Sequence, residues 1–322
     1  MELSEIYALV KDDLLKIEEN LKAKGKEVGN PHLEKLLEYS LTNNGKMLRP
    51  MLTLLSGKFY NYDPAYHLPM GTAVEIMHTA TLVHDDAIDS SLMRRGRPTV
   101  NKLWGEEQAV LLGDYLFAEA GALTASTGNL RVIKLFAETL KTISSGEINQ
   151  SFNAYNPKQS RQEYYDRIAK KTAALFSMST ESGSALSGAP EESIQILIDY
   201  AYNLGIGFQI VDDILDFIGT EEELGKPTGS DLSQGTLTLP AILILEKYPE
   251  DNPVKRLFED RENIDALKQA IEIVRNSTII QECYSVATEF CEKARRNLHL
   301  LPDNPCRKCL IDLTEYITVR KK

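Results

Sequence analysis

Cysteine is scarce in this chain: four residues in 322, with a single CxxC, the CRKC of Cys306 and Cys309. A structural zinc site takes about four ligands, so one such pair excludes an ordinary zinc ribbon. Cys283 and Cys291 fall in a helix-like run and read as ordinary helical cysteines. Basic charge is also short. The net charge of −11 excludes a nucleic-acid backbone as partner, because phosphate neutralisation wants basic surface. Phosphate-bearing small molecules stay open, since metal ions can supply the missing positive charge. No uninterrupted apolar run approaches the roughly 18 residues of a membrane helix. The first residues, MELSEIYALVKDDLLKIEENLK, are too charged for a signal peptide. Their Leu3, Tyr7, Val10, Leu14, Ile17 and Leu21 follow a helical stripe instead. A soluble, cytoplasmic protein without a transmembrane segment is expected. Sustained β-type alternation is missing, and so is any low-complexity linker.

What is present is helix. Hydrophobic residues make up 43 % of the chain, enough for a sizeable core. VEIMHTATLVHDD, EQAVLLGDYLFAEAGALTAS, LRVIKLFAETLKTISSGEINQSF and RQEYYDRIAKKTAALFSMSTESGSALSG are rich in Ala, Leu and Glu. Their apolar residues recur at spacings of three and four. Gly, Pro and Asn punctuate them at NNGKMLRP, NYDPAYHLP, RRGRPT, NPKQS, GAPEE, LGKPTGSD and LPDNP. The small-residue stretches AEAGALTASTG and STESGSALSGA serve either close helix packing or the border of a cavity. The expected fold is all-α: one domain over residues 1–322, a single large helical bundle around a central cavity.

Two acidic clusters stand out. TLVHDDAID carries Asp85, Asp86 and Asp89, and FQIVDDILD carries Asp212, Asp213 and Asp216, each inside an apolar helical run. Residues four apart share a helix face, so Asp85 and Asp89 lie one turn apart. Two carboxylates about 6 Å apart at an effective dielectric near 20 repel by about 3 kcal/mol. A solvated helix end would screen that repulsion, but the apolar flanks argue against full exposure. A half-buried acidic cluster needs cations, and carboxylate oxygens select hard ones. Magnesium in particular is usually held by one or two carboxylates together with substrate phosphates. One DDxxD is a weak signal; two in the same setting point to divalent ions on a diphosphate. Cationic stretches supply the other half: Gly45, Lys46 and Arg49 in NNGKMLRP, Arg94 and Arg95 in RRGRPT, Lys171 and Thr172 in KKTAALF, and Lys226 in LGKPTGSD. Taken singly, each would read as a solvated surface charge.

The order GKxxRP, HxxxxxHDDxxD, RRGxPT, KTA, FQxxDDxLD, GKPxGSD resembles that of the trans-prenyltransferases of the polyprenyl diphosphate synthase family, from about residue 40 to the C-terminus. The resemblance implies condensation of isopentenyl diphosphate, head to tail, onto an allylic diphosphate. It implies Asp85, Asp89 and Asp212 as ligands of three Mg2+ ions, with Asp86, Asp213 and Asp216 in support. Arg94, Lys171, Thr172, Gln209 and Lys226 would touch the allylic diphosphate. Gly45, Lys46, Arg49, His78 and Arg95 would bind isopentenyl diphosphate, for which the rigid fork of arginine suits phosphate oxygens. A homodimer is the family expectation. One departure is Thr236 in QGTLTLP, where much of the family has lysine; such replacements go with longer products. Short-product members often carry a bulky aromatic five or four positions before the first aspartate. Here those positions are Ala80 and Thr81, both small. A medium- or long-chain product is therefore expected, with geranylgeranyl or farnesyl diphosphate as the runner-up. A terpene cyclase would space its second metal motif differently. A non-catalytic subunit of a heteromeric synthase would have lost acidic clusters, so this chain would be the catalytic member of any such pair. A plain helical scaffold leaves the aligned aspartates unexplained.

Overall fold

The computed structural model describes residues 3–26, 28–42, 45–220 and 227–319. The chain is all-α, as expected, and among the described residues the only strands are Met93–Arg94 and Arg97–Pro98. No described helix is long and apolar enough to cross a membrane. Contacts divide the chain into two compact units.

The first unit comprises Met1–Leu140, Leu175–Ala201 and Arg295–Leu313. Its central element is the Pro64–Ile88 helix. Asp63 caps it by accepting from the Ala65 amide, and Pro64 at the first helical position forfeits no bond. The NYDPAYHLP break is thus shorter than the sequence suggests: Pro69 lies inside the helix and forgoes one backbone hydrogen bond. Every residue from Met70 to Met77 is buried. A helix buried on all sides is a core helix; its polar residues Glu75, His78 and Thr79 fall on one face and line a pocket. The Leu48–Gly57 helix packs beside it, burying Met51, Leu52, Leu54 and Leu55 completely. The Ala174–Leu186 helix crosses that one very closely. A Cβ at Gly183 would lie 2.1 Å from the Thr53 carbonyl oxygen and 2.3 Å from Ser56 Oγ. Ser179 and Ser184 return their hydroxyls to carbonyls of their own helix, at 2.7 Å each. Those small residues of STESGSALSGA serve helix packing.

The second unit comprises Lys141–Ala174, Tyr202–Ala294 and Thr314–Lys322. Ser160 and Glu163 form a reciprocal capping box at the start of the Arg161–Ile168 helix. That helix does not run straight on into the next. Ala169–Ala173 is a π turn, and regular α geometry resumes at Ala174. Two glycines admit neighbouring helices to this stretch: a Cβ at Gly146 would lie 2.9 Å from Lys170 Cβ, and one at Gly205 2.7 Å from Ala173 Cα. Tyr164, Ile210, Val211, Ile214 and Phe217 fill the interior.

Candidate functional site

Both acidic clusters sit at the electrostatically unfavourable ends of their helices. Asp85 and Asp86 occupy the last turn of Pro64–Ile88, with Asp89 as its C-cap. Asp212, Asp213 and Asp216 close the Glu191–Ile218 helix. The carbonyl end of a helix carries the negative pole of its dipole and favours cations. Neither last turn contains a basic residue. Two helices that carry carboxylates toward their carbonyl ends, with no basic residue in the last turn itself, suit positive charge from elsewhere.

In the first unit the nearest such charge comes from RRGRPT. Arg95 and Gly96 both have positive φ, 50° and 73°, as a two-residue hairpin of the primed type requires. The turn joins Met93–Arg94 to Arg97–Pro98. Helical periodicity does not reveal this hairpin. Its root is tied down where Thr99 Oγ and the Asn101 amide both donate to the Ser91 carbonyl, at 2.6 and 2.9 Å. Arg94 is thereby carried back over the helix end, and its Nε donates to both oxygens of Asp86, at 2.8 and 2.9 Å. Asp86 is buried, and burial raises its carboxyl pKa above the usual value although Arg94 pulls the other way. Asp85 and Asp89 are half-buried.

Arg95 enters a pocket lined by Gly45, Glu75, His78, Asp86 and Arg94. Gly45 leaves room for it: a Cβ would stand 2.5 Å from a guanidinium nitrogen of Arg95. Arg49, on the first turn of Leu48–Gly57, lies over the Phe176 ring at 4.8 Å. Lys46 is half-buried just ahead of that helix. Burial, with Arg49, Arg95 and Arg94 nearby, holds the His78 imidazole well below its usual pKa. His78 is therefore neutral and offers one N–H donor. Glu75, one turn earlier, is a carboxylate that the sequence did not single out. Burial raises its pKa, opposed by Arg49 and Arg95. Ala80 is fully buried, whereas Thr81 is half-buried and turns its hydroxyl back to the His78 carbonyl at 2.7 Å.

In the second unit the KKTA stretch forms the π turn, a feature frequent at functional sites. Lys171 pairs with Glu147 at 2.7 Å. Thr172 donates to Gln209 Oε1 at 2.6 Å, and the Gln209 amide donates to Asp213 Oδ1 at 2.8 Å. The Tyr164 hydroxyl donates to the other Asp213 oxygen at 2.7 Å. Burial first, then the charge of Asp231, pushes the Asp213 carboxyl up to about 7 against these hydrogen bonds. With both oxygens occupied, Asp213 orients Gln209 and Thr172. The Asp216 carboxylate accepts from the Asp231 amide at 3.3 Å, which folds the GSD turn against the helix end. Asp212 is half-buried. Lys226 lies outside the described residues. Tyr164 and Glu147 were not legible as site residues: each meets its partner through a contact remote in sequence.

A divalent cation fits these donors on particular terms. Among the described residues no group of three or more His, Cys, Asp or Glu side chains is close enough to hold a metal ion. A self-sufficient cage is thus missing from the described part. Sparse carboxylates at cation-seeking helix ends suit a hard cation whose remaining ligands come from phosphate and water.

The polyprenyl synthetase family model matches residues 30–274. The chain is 37 % identical over 323 residues to "Heptaprenyl diphosphate synthase component 2" of Geobacillus stearothermophilus, covering 99 % of each chain. A decaprenyl diphosphate synthase from Rhodobacter capsulatus superposes with a TM-score of 0.92 at 36 % identity, over 100 % of both chains. A polyprenyl synthase from Caulobacter crescentus CB15, solved with calcium and isoprenyl diphosphate, gives 0.94 at 30 % identity, over 100 % of this chain and 98 % of that one.

Proposed function

Since the chain belongs to the polyprenyl synthetase family and is a prenyltransferase, we propose that it builds a medium- or long-chain trans-polyprenyl diphosphate. It does so by repeated addition of isopentenyl diphosphate to an allylic diphosphate. The acidic clusters at two helix ends, each lacking a basic residue in its last turn, carry this reading. The same proposal takes Mg2+ as the cation, three ions with Asp85, Asp89 and Asp212 among their ligands, and residues 1–322 as one catalytic domain. A homodimer and a cytoplasmic location belong to it as well.

When bound, magnesium supplies Lewis-acid withdrawal of charge from the departing diphosphate. The chain's own residues do the rest. Arg94, Lys171, Thr172, Gln209 and Lys226 receive the allylic diphosphate, and positive charge preorganised at the leaving group favours ionisation of the allylic C–O bond. Lys171 and Arg94 can each exchange a carboxylate partner, Glu147 or Asp86, for phosphate oxygens. Gly45, Lys46, Arg49, neutral His78 and Arg95 hold isopentenyl diphosphate, so that its double bond attacks the allylic carbon. A proton is then lost, with the released diphosphate as its acceptor. Water must be excluded from the site, since it would otherwise capture the cation.

The test is incubation of purified protein with Mg2+, labelled isopentenyl diphosphate and a choice of allylic primers, followed by chromatography. Products longer than C20 are expected, because Ala80 and Thr81 ahead of the first aspartate are both small. A product that stops at C15 or C20 would overturn the long-chain assignment. Ala80→Tyr fills a fully buried position and is expected to shorten the product while the first condensation proceeds. Unchanged product lengths in that variant would mean that Ala80 does not border the growing chain. Arg95→Ala is expected to raise the KM for isopentenyl diphosphate about tenfold, or about 1.4 kcal/mol, with little change for the allylic substrate. Equal loss for both substrates would argue against two separable phosphate sites. A second reading is favoured by the "component 2" in the name of the Geobacillus stearothermophilus relative: this chain as the catalytic half of a heteromeric synthase. Turnover by the purified chain alone decides between them.

A further inference from the structure

The last turn of the Pro64–Ile88 helix has an electrostatic reason to fray. Asp85 and Asp89 place two carboxylates one turn apart, and the negative pole of the helix dipole opposes both. Local opening of this kind is common at helix ends. The residue immediately before the cluster, His84, has so far been given no role. Its ring leaves the helix toward the Glu106–Ser126 helix, where Nε2 lies 2.9 Å from the Val110 carbonyl oxygen. The Phe117 ring meets the imidazole edge-on at 5.5 Å. The seat exists only because residue 113 is glycine: a Cβ there would lie 2.0 Å from His84 Nε2 and 2.1 Å from Cδ2. Facing a carbonyl oxygen, Nε2 must carry a proton. The Asp114 carboxylate, at 3.8 Å, is too far for a hydrogen bond.

We propose that His84 is a positioning residue: seated in the slot over Gly113, it pins the acidic turn to the neighbouring helix, so that Asp85 and Asp89 meet their cation in a turn already formed. The inference rests on the reading of those aspartates as cation ligands. It differs from plain core packing in what it demands. An apolar group filling the slot would pack as well, but only a side chain that donates to the Val110 carbonyl fixes the end of the turn.

The test uses the full-length chain and two readouts that need no turnover. Amide hydrogen exchange over residues 84–91 is measured without metal, and Mn2+ binding is titrated by electron paramagnetic resonance in the presence of pyrophosphate. His84→Ala is expected to speed exchange in that turn at least tenfold and to weaken Mn2+ binding about tenfold. His84→Gln, whose amide nitrogen can reach the same carbonyl, should restore most of both. Gly113→Ala evicts the ring and should reproduce His84→Ala, and the double variant should be no worse than either single one. The KM for isopentenyl diphosphate should stay unchanged throughout. Unchanged exchange or unchanged Mn2+ affinity in His84→Ala overturns the pin, as does failure of His84→Gln to restore them. Asp85→Ala separates the two ideas. Wild-type Mn2+ binding in that variant means the cation reading has failed; lost binding there, with intact binding in His84→Ala, means the pin alone has failed.

Discussion

Asp85→Ala is expected to lower kcat by about 10³-fold or more, about 4 kcal/mol of barrier, and Asp212→Ala to be similarly severe. Each removes an oxygen donor from a helix end where little else can replace it, since no described cluster of three such side chains exists. Asp213 makes a poor substitute, because Gln209 and Tyr164 hold both of its oxygens. Both variants should stay folded. Each side chain is only half-buried, so its removal opens no core cavity, and the denaturation midpoints should lie near that of the parent. Steady-state turnover at saturating Mg2+, paired with urea denaturation, checks both halves. Near-parental turnover in either variant would remove that aspartate from the cation site.

The largest effect on stability is expected at Gly183. Its ideal Cβ position is 2.1 Å from a backbone oxygen, that of Thr53, and a backbone atom cannot rotate aside as a side-chain end can. The crossing is also braced from behind: His67 Nε2 lies 3.0 Å from the Gly183 carbonyl oxygen, and the same ring abuts Gly57. Gly183→Ala must therefore push two buried helices apart, at a cost of about 3 kcal/mol, the upper part of the range for overpacked cores. Gly121→Ala is the control. That glycine is also mid-helix, but its Cβ would sit 3.5 Å from the Phe136 ring in ordinary contact, so the gain in helix propensity of up to about 1 kcal/mol should survive. The measurement is the urea midpoint at constant m-value. Equal stability of Gly183→Ala and the parent would mean that the close crossing is wrong.

The helices were legible because period and punctuation agree: LRVIKLFAETLKTISSGEINQSF coincides with the helix at Leu130–Phe152. The aspartates were legible because carboxylates inside apolar runs violate the pattern around them. The hairpin at RRGRPT was read only as a break, since two residues per strand cannot display alternation. Tyr164 and Glu147 were invisible for another reason. A tyrosine in EYYDR and a glutamate in SSGEINQ look like ordinary faces of amphipathic helices, and only the folded chain brings them to Asp213 and Lys171. Glu75 is a similar case: nothing in AVEIMH tells that its carboxylate lies beside a pocket that Arg95 also lines.

RQEYYDRIAKKTAALFSMSTESGSALSG reads as one helix, yet the π turn at Ala169–Ala173 divides it. A π turn spends one residue more than an α turn to cover the same revolution, and one residue is about 100° of rotation about the axis. The two α segments are therefore out of phase, like two screws joined with a washer between them. Tyr164, before the washer, and Thr172, within it, reach the same Gln209–Asp213 pair. In an unbroken α-helix these two, eight residues apart, would stand about 80° apart about the axis. The extra residue is thus a phase setting: it lets the same stretch of chain meet packing requirements on one side and polar ones on the other, and a single deletion there would change which residues face Asp213 while leaving the composition almost untouched.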